Sequence, residues 1–192
     1  MTGQSISKRS APFTHGGDLS RLAAEIGSQR EALLDFSASI NPLGMPPAAR
    51  EAIIAGLEGV AHYPDPLAEE LVAAIAQAYR LDARRLLAGN GSTELLYLAL
   101  RVLRPRRVLL TAPGFSEYQR AATLAGAKIK YLTLRAKTGF QIEPHRFIAA
   151  MEGCDLALLR NPNNPTGHAL DYHQMTKIAA AAAARALLSA GG

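Results

Sequence analysis

The sequence predicts an α/β protein, with a mostly parallel sheet covered by helices and a separate lobe segment before it. Two observations predict this. From Pro66 onward, short apolar runs alternate with stretches of helical length, separated by turns rich in glycine, proline and asparagine. Before Pro66 there is little regular alternation, and proline-rich connectors divide the chain instead. The boundary is placed near Tyr63-Pro64-Asp65-Pro66. That gives an N-terminal arm and small-lobe segment at 1–65 and an incomplete larger domain at 66–192.

In the first part a helix is expected from Leu19 to Ile26, with Asp18 as its cap and Gly27 as its stop. Leu34 to Ser37 reads as a short extended piece. Pro47 suits the first turn of a helix running to about Leu57. In the second part Leu67–Tyr79 is expected to be helical and Leu86–Ala88 a first strand. Helix Ser92–Leu103 leads to strand Val108–Thr111, and helix Phe115–Leu124 to strand Ile129–Leu134. A helix around Pro144–Met151 then precedes strand Leu156–Leu159. The alanine tract from Ile178 is a strong helix former, closed by Gly191 and Gly192.

Apolar residues make up 48% of the 192 and charged residues 19%, a globular balance rather than a disordered one. Met1 to Phe13 is polar, so no secretory signal is expected. No run approaches the ~18 uncharged apolar residues of a membrane span. The single cysteine, Cys154, excludes an internal disulfide and fits a cytoplasmic protein. The net charge of +5 raises nucleic acid as a partner. However, the densest basic run, Arg101, Arg104, Arg106 and Arg107, lacks interleaved aromatics and sits where cations suit a helix C-terminus. No nucleic-acid partner and no membrane association are expected.

In such sheets ligands gather at the carboxyl ends of the strands, so the loops there carry the functional reading. Gly89-Asn90-Gly91-Ser92-Thr93-Glu94 opens directly into a helix, where free amides favour an anion and the Ser92 and Thr93 hydroxyls add donors. Glycine-rich strand-to-helix turns are also common without any ligand. This one is neither a Walker loop nor a full dinucleotide turn. Asn161-Pro-Asn-Asn-Pro-Thr-Gly167 is more specific: two prolines stiffen the backbone while Asn164 presents an amide that both donates and accepts.

That last segment resembles the Pro-Asn-Asn-Pro-Thr-Gly signature of fold-type-I pyridoxal-phosphate enzymes, the aspartate-aminotransferase fold of the class I/II aminotransferases. The resemblance implies roles for other loops. Gly91, Ser92 and Thr93 match the loop that holds the cofactor phosphate. Phe115, in Pro113-Gly-Phe-Ser-Glu-Tyr118, matches the aromatic that stacks on the pyridine ring, and Asn164 the residue bonded to the ring hydroxyl oxygen. Tyr63 matches a tyrosine reaching the cofactor of a neighbouring subunit, which implies a homodimer.

Within that group, His15-Gly16-Gly17 and Asp35-Phe-Ser-Ala-Ser-Ile-Asn-Pro-Leu-Gly44 are similar to the threonine-phosphate decarboxylases of cobalamin biosynthesis. The implied reaction is decarboxylation of L-threonine O-3-phosphate to aminopropanol phosphate. His15, Gly16, Ser39 and Asn164 would contact the phosphorylated substrate. Many members have Asn where this chain has Ser39. A histidinol-phosphate-type aminotransferase is the alternative enzyme, and a catalytically inactive fragment or pseudoenzyme is the non-enzyme reading.

The likeness runs from about His15 to Asp171. None of Lys8, Lys128, Lys130, Lys137 and Lys177 stands in the family's Ser-x-x-Lys context, so no Schiff-base lysine is expected in this chain. It reads as an N-terminal portion, inactive alone. The resemblance further implies that strands Val108–Thr111, Ile129–Leu134 and Leu156–Leu159 pair among themselves, leaving Leu86–Ala88 without its neighbours.

Overall fold

The computed structural model describes residues 17–36, 41–182 and 186–190. The chain forms two compact units, 1–88 and 89–192. The division falls at Ala88–Gly89, later in the chain than the Tyr63–Pro66 connector at which the sequence reading set its boundary.

The first unit holds three helices. Helix α1 (Leu19–Ile26) starts where the Asp18 carboxylate accepts from the Arg21 amide and ends at Gly27 in the left-handed conformation. Helix α2 (Pro47–Ala55) has proline in its first turn, where the missing N–H costs nothing. It stops two residues before the expected Leu57, and a 3-10 turn follows at Leu57–Ala61. Helix α3 (Glu69–Tyr79) begins two residues later than expected, at the point where Asp65 accepts from the Leu67 and Glu69 amides. Residues 33–36 join no strand, and Ser37 lies outside the described residues. Among the described side chains of this unit only Ala23 is buried.

The second unit is a four-stranded sheet of order β2-β1-β3-β4, with β1 at Arg107–Ala112, β2 at Lys128–Thr133, β3 at Leu156–Arg160 and β4 at Ala186–Ala190. Every pairing is parallel. The helices are α4 (Gly91–Leu103), α5 (Ser116–Leu124), α6 (Pro144–Ala150) and α7 (Tyr172–Ala181). Strands β1 and β3 are buried on both faces, which is why they read as continuous apolar runs rather than alternating ones. Leu109, Ala157 and Leu159 pack with Phe147 of α6 and Ile178 of α7. Val108, Leu110, Leu156 and Leu158 pack with Leu100 of α4 and with Tyr118 and Ala121 of α5. Edge strand β2 keeps Lys128 and Lys130, whose charge discourages further pairing.

Two expectations need correction. Leu86–Ala88 is no strand: Leu86 has extended backbone (φ −110°, ψ 139°), but no ladder partner exists among the described residues. A short apolar run becomes a strand only if a neighbour takes up its amides and carbonyls. The alanine tract does not stay helical to its glycines. Helix α7 ends at Ala181, and Ala186–Ala190 pairs in register with Leu156–Arg160. The open edge of β3 there outweighs alanine's helix propensity, a preference of under about 1 kcal/mol per residue.

Candidate cofactor site

The connections make one end of this sheet special. From β1 the chain crosses through α5 to β2 on one side, then returns through α6 to β3 on the other side of β1 and onward through α7 to β4. The direction therefore reverses between β1 and β3, and α/β sheets take ligands at such a reversal, outside the carboxyl ends of the strands. The loops bordering it are 113–115 after β1 and 161–171 after β3. They are two of the segments singled out in the sequence.

Asn163 ties these loops together. Its side chain is buried; Oδ1 accepts from Thr111 Oγ1 (3.2 Å), and Nδ2 donates to the Pro113 carbonyl (3.2 Å) and to Thr166 Oγ1 (2.8 Å). Its backbone closes the turn, with Asn163 N donating to His168 O and Gly167 N donating to Asn163 O. Asn161 pins the loop's far end by donating to Leu170 O and accepting from Leu170 N. Gly114 is required on the facing loop, since a Cβ there would collide with the Thr111 carbonyl oxygen. Asn164, left outside this network, is half-buried and makes no hydrogen bond among the described residues, so its amide is free for a ligand.

Phe115 caps α5 with its ring half-buried against the α4–α5 core, edge-on to Tyr118 at a centroid distance of 5.6 Å. The Arg160 guanidinium lies 4.8 Å from its ring centroid. One step deeper, the Tyr97 hydroxyl of α4 donates to Glu117 of α5 at 2.9 Å, and the same carboxylate lies 3.7 Å from Arg120. Burial, then the Glu117 hydrogen bond, raises the Tyr97 phenol above its ordinary value, so it stays neutral and keeps donating.

Gly91, Ser92 and Thr93 form the exposed first turn of α4. Only the short Arg104–Arg106 connector separates α4 from β1, so the helix runs antiparallel to the strand and its N-terminus points to the same carboxyl end. The Ser92 and Thr93 hydroxyls make no hydrogen bond among the described residues, and none of the three contacts Phe115 or Asn164 through a hydrogen bond. Tyr63 is fully exposed in the first unit. His15, Gly16 and Ser39 lie outside the described residues. Two open clefts, of about 590 and 620 Å³, lie along α4–α5 and beside Arg104–Arg107 and include none of Gly91, Phe115 and Asn164.

Sequence reasoning missed Asn163, Thr111 and Arg160. The doubled asparagine between prolines was the one available signal: one can hold the loop while the other serves a ligand.

The donor set fits pyridoxal phosphate. It offers a half-buried aromatic face, a free amide on a loop held rigid, and exposed helix-end amides suited to a phosphate, all at one end of the sheet. Residues 31–189 match the family described as aminotransferase class I and II, and the chain belongs to that family, whose members depend on pyridoxal phosphate. It is 40% identical over 153 residues to a threonine-phosphate decarboxylase of Salmonella typhimurium, covering 80% of this chain and 42% of that one. It is 33% identical over 168 residues to histidinol-phosphate aminotransferase 1 of Dechloromonas aromatica, covering 86% and 45%. The chain therefore spans less than half the length of these relatives. Among solved structures it resembles the aspartate aminotransferase from Thermus thermophilus with maleate, with a TM-score of 0.78 at 20% identity, over 100% of this chain and 53% of that one. This likeness gives the chain part of the aspartate-aminotransferase fold.

Proposed function

We propose that the protein carrying these residues decarboxylates L-threonine O-3-phosphate to aminopropanol phosphate, with pyridoxal 5'-phosphate as cofactor, in cobalamin biosynthesis. The observation that supports the cofactor reading is the Asn163 network, which ties the loop carrying Asn164 to the Phe115 loop at the carboxyl ends of β1 and β3. The 40% likeness to a threonine-phosphate decarboxylase supports the substrate, together with His15-Gly16-Gly17 and the segment around Ser39.

When bound, the cofactor supplies the electron sink for the bond that breaks at Cα. The chain's own residues supply placement. Phe115 offers a flat apolar flank that keeps water off one side of the ring. Asn164 holds the ring's hydroxyl oxygen and lies within reach of the substrate. Gly91, Ser92 and Thr93 donate to the cofactor phosphate, and Tyr63 reaches the phosphate of a neighbouring subunit in a homodimer. His15 and Gly16 donate to the substrate phosphate, with Ser39 as a further polar contact. On this reading 1–65 serves as arm and small-lobe segment and 66–192 as part of the cofactor domain, in a cytoplasmic enzyme.

The likeness to a histidinol-phosphate aminotransferase favours a second reading, transamination of histidinol phosphate. The test is a product assay on the full-length protein with pyridoxal phosphate. Carbon dioxide and aminopropanol phosphate from threonine phosphate, with little conversion of histidinol phosphate, is the expected result. Efficient transamination of histidinol phosphate without carbon dioxide overturns it. In the same protein, borohydride should trap no stoichiometric cofactor on Lys8, Lys128, Lys130, Lys137 or Lys177. Lys128 and Lys130 sit at or near the amino end of β2, and the Lys130 ammonium donates to Glu152 O just before β3.

A further inference from the structure

Arg160 is the last residue of β3. Side chains alternate along a strand, and Leu156 and Leu158 face the α4–α5 core, so Arg160 leaves the sheet on that face, above Phe115. It is half-buried, yet no carboxylate or carbonyl takes its N–H groups among the described residues, and its guanidinium lies over the Phe115 ring. Arginine's planar fork of N–H donors is suited to a doubly bonded oxyanion, and here those donors have no protein oxygen to fill them among the described residues. The cation–π contact with the ring holds the guanidinium at the carboxyl end of β3 while its N–H groups stay available. The N-terminus of α4 lies at the same end of the sheet on the same face and adds positive potential there.

We propose that Arg160 is a phosphate-recognition residue at the carboxyl end of β3, gripping a phosphate monoester bound beside Phe115. This rests on the cofactor-site reading above. The monoester has two sources, the cofactor's phosphate and the substrate's, and paired ligands separate them. The full-length protein without cofactor is titrated with pyridoxal phosphate, pyridoxal and inorganic phosphate. The loaded protein is titrated with threonine phosphate and threonine. Wild type is compared with Arg160→Met and with Arg160→Lys, which keeps the charge and guards against misfolding.

Losing a charged hydrogen-bonding partner weakens a phosphorylated ligand by about tenfold or more, and its unphosphorylated twin hardly at all. That pattern in the first pair assigns the cofactor phosphate; in the second pair it assigns the substrate's. Arg160→Lys should fall between wild type and Arg160→Met. Inorganic phosphate binding is independent of which reaction the enzyme runs. If it falls in Arg160→Met while threonine phosphate is not decarboxylated, the role of Arg160 stands and the substrate assignment falls. Equal weakening within each pair, or no change in any titration, overturns the proposal and leaves Arg160 as packing for Phe115.

Discussion

Asn163 accepts from the Thr111 hydroxyl and donates to Pro113 O and Thr166 Oγ1, so two loops share one buried side chain. Asn164, next in sequence, holds none of this together. Asn163→Ala should therefore cost about 1–3 kcal/mol in denaturant unfolding, the penalty for buried partners left unmatched. Asn164→Ala breaks no hydrogen bond among the described residues and should cost no more than about 0.5 kcal/mol, while lowering affinity for pyridoxal phosphate. Equal losses of stability would show that the two asparagines do not divide the work. The motif draws attention to Asn164 in the sequence but not to Asn163, whose structural role depends on a loop fifty residues away.

At the opposite end of the sheet Asp155 accepts from the Arg107 and Arg106 amides at 2.9 and 2.7 Å. Those backbone bonds, with Arg107's the larger effect, lower its carboxyl below the ordinary value. The unfolded chain takes up this proton first. The stabilisation is thus complete above the ordinary value of about 4 and is lost as pH falls through the lower folded value. Asp155→Ala should remove that part of the acid dependence, so the stabilities of variant and wild type converge toward pH 2. A constant gap between the two curves would contradict the assignment.

Among elements, the strands that were legible are those buried on both faces. β1 and β3 lie within a residue of the expected bounds, because continuous apolar runs between turn signals have few other uses. Leu86–Ala88 carries a similar local pattern, yet it is unpaired, and Ala186–Ala190 is a strand despite its alanines. In both cases pairing with a distant segment decides, and local sequence does not contain it. Hydrogen exchange should therefore be slow at Leu109, Leu110, Ala157 and Leu158, measurably slowed at 186–190, and fast at Leu86–Ala88. Protection of Leu86–Ala88 matching that of β1 would mean that it has found a ladder.

The whole molecule divides its apolar residues unequally. The second unit has apolar side chains packed on both faces of its sheet, whereas in the first Leu34, Phe36, Leu43, Val60 and Tyr79 stand exposed. A unit with so little buried surface has little free energy to resist local opening. Brief trypsin treatment of the 192-residue chain should cut first at Arg80, Arg84 or Arg85, leaving a resistant product that begins near Gly89. First cleavage within the sheet, at Arg107 or Lys130, would contradict this ordering. The exposed residues also predict association at high concentration rather than a clean monomer.

The proposed placement of the cofactor at the carboxyl ends of β1 and β3 is tested most directly by hydrogen exchange of the full-length protein with and without pyridoxal 5'-phosphate. Added cofactor should slow exchange in peptides covering Gly91–Thr93, Phe115 and Asn163–Gly167 together. It should leave those covering Arg104–Arg107 and Lys128, at the other end of the sheet, unchanged. Protection confined to the Arg104–Lys128 end, or no protection in any of the three loops, would contradict the site.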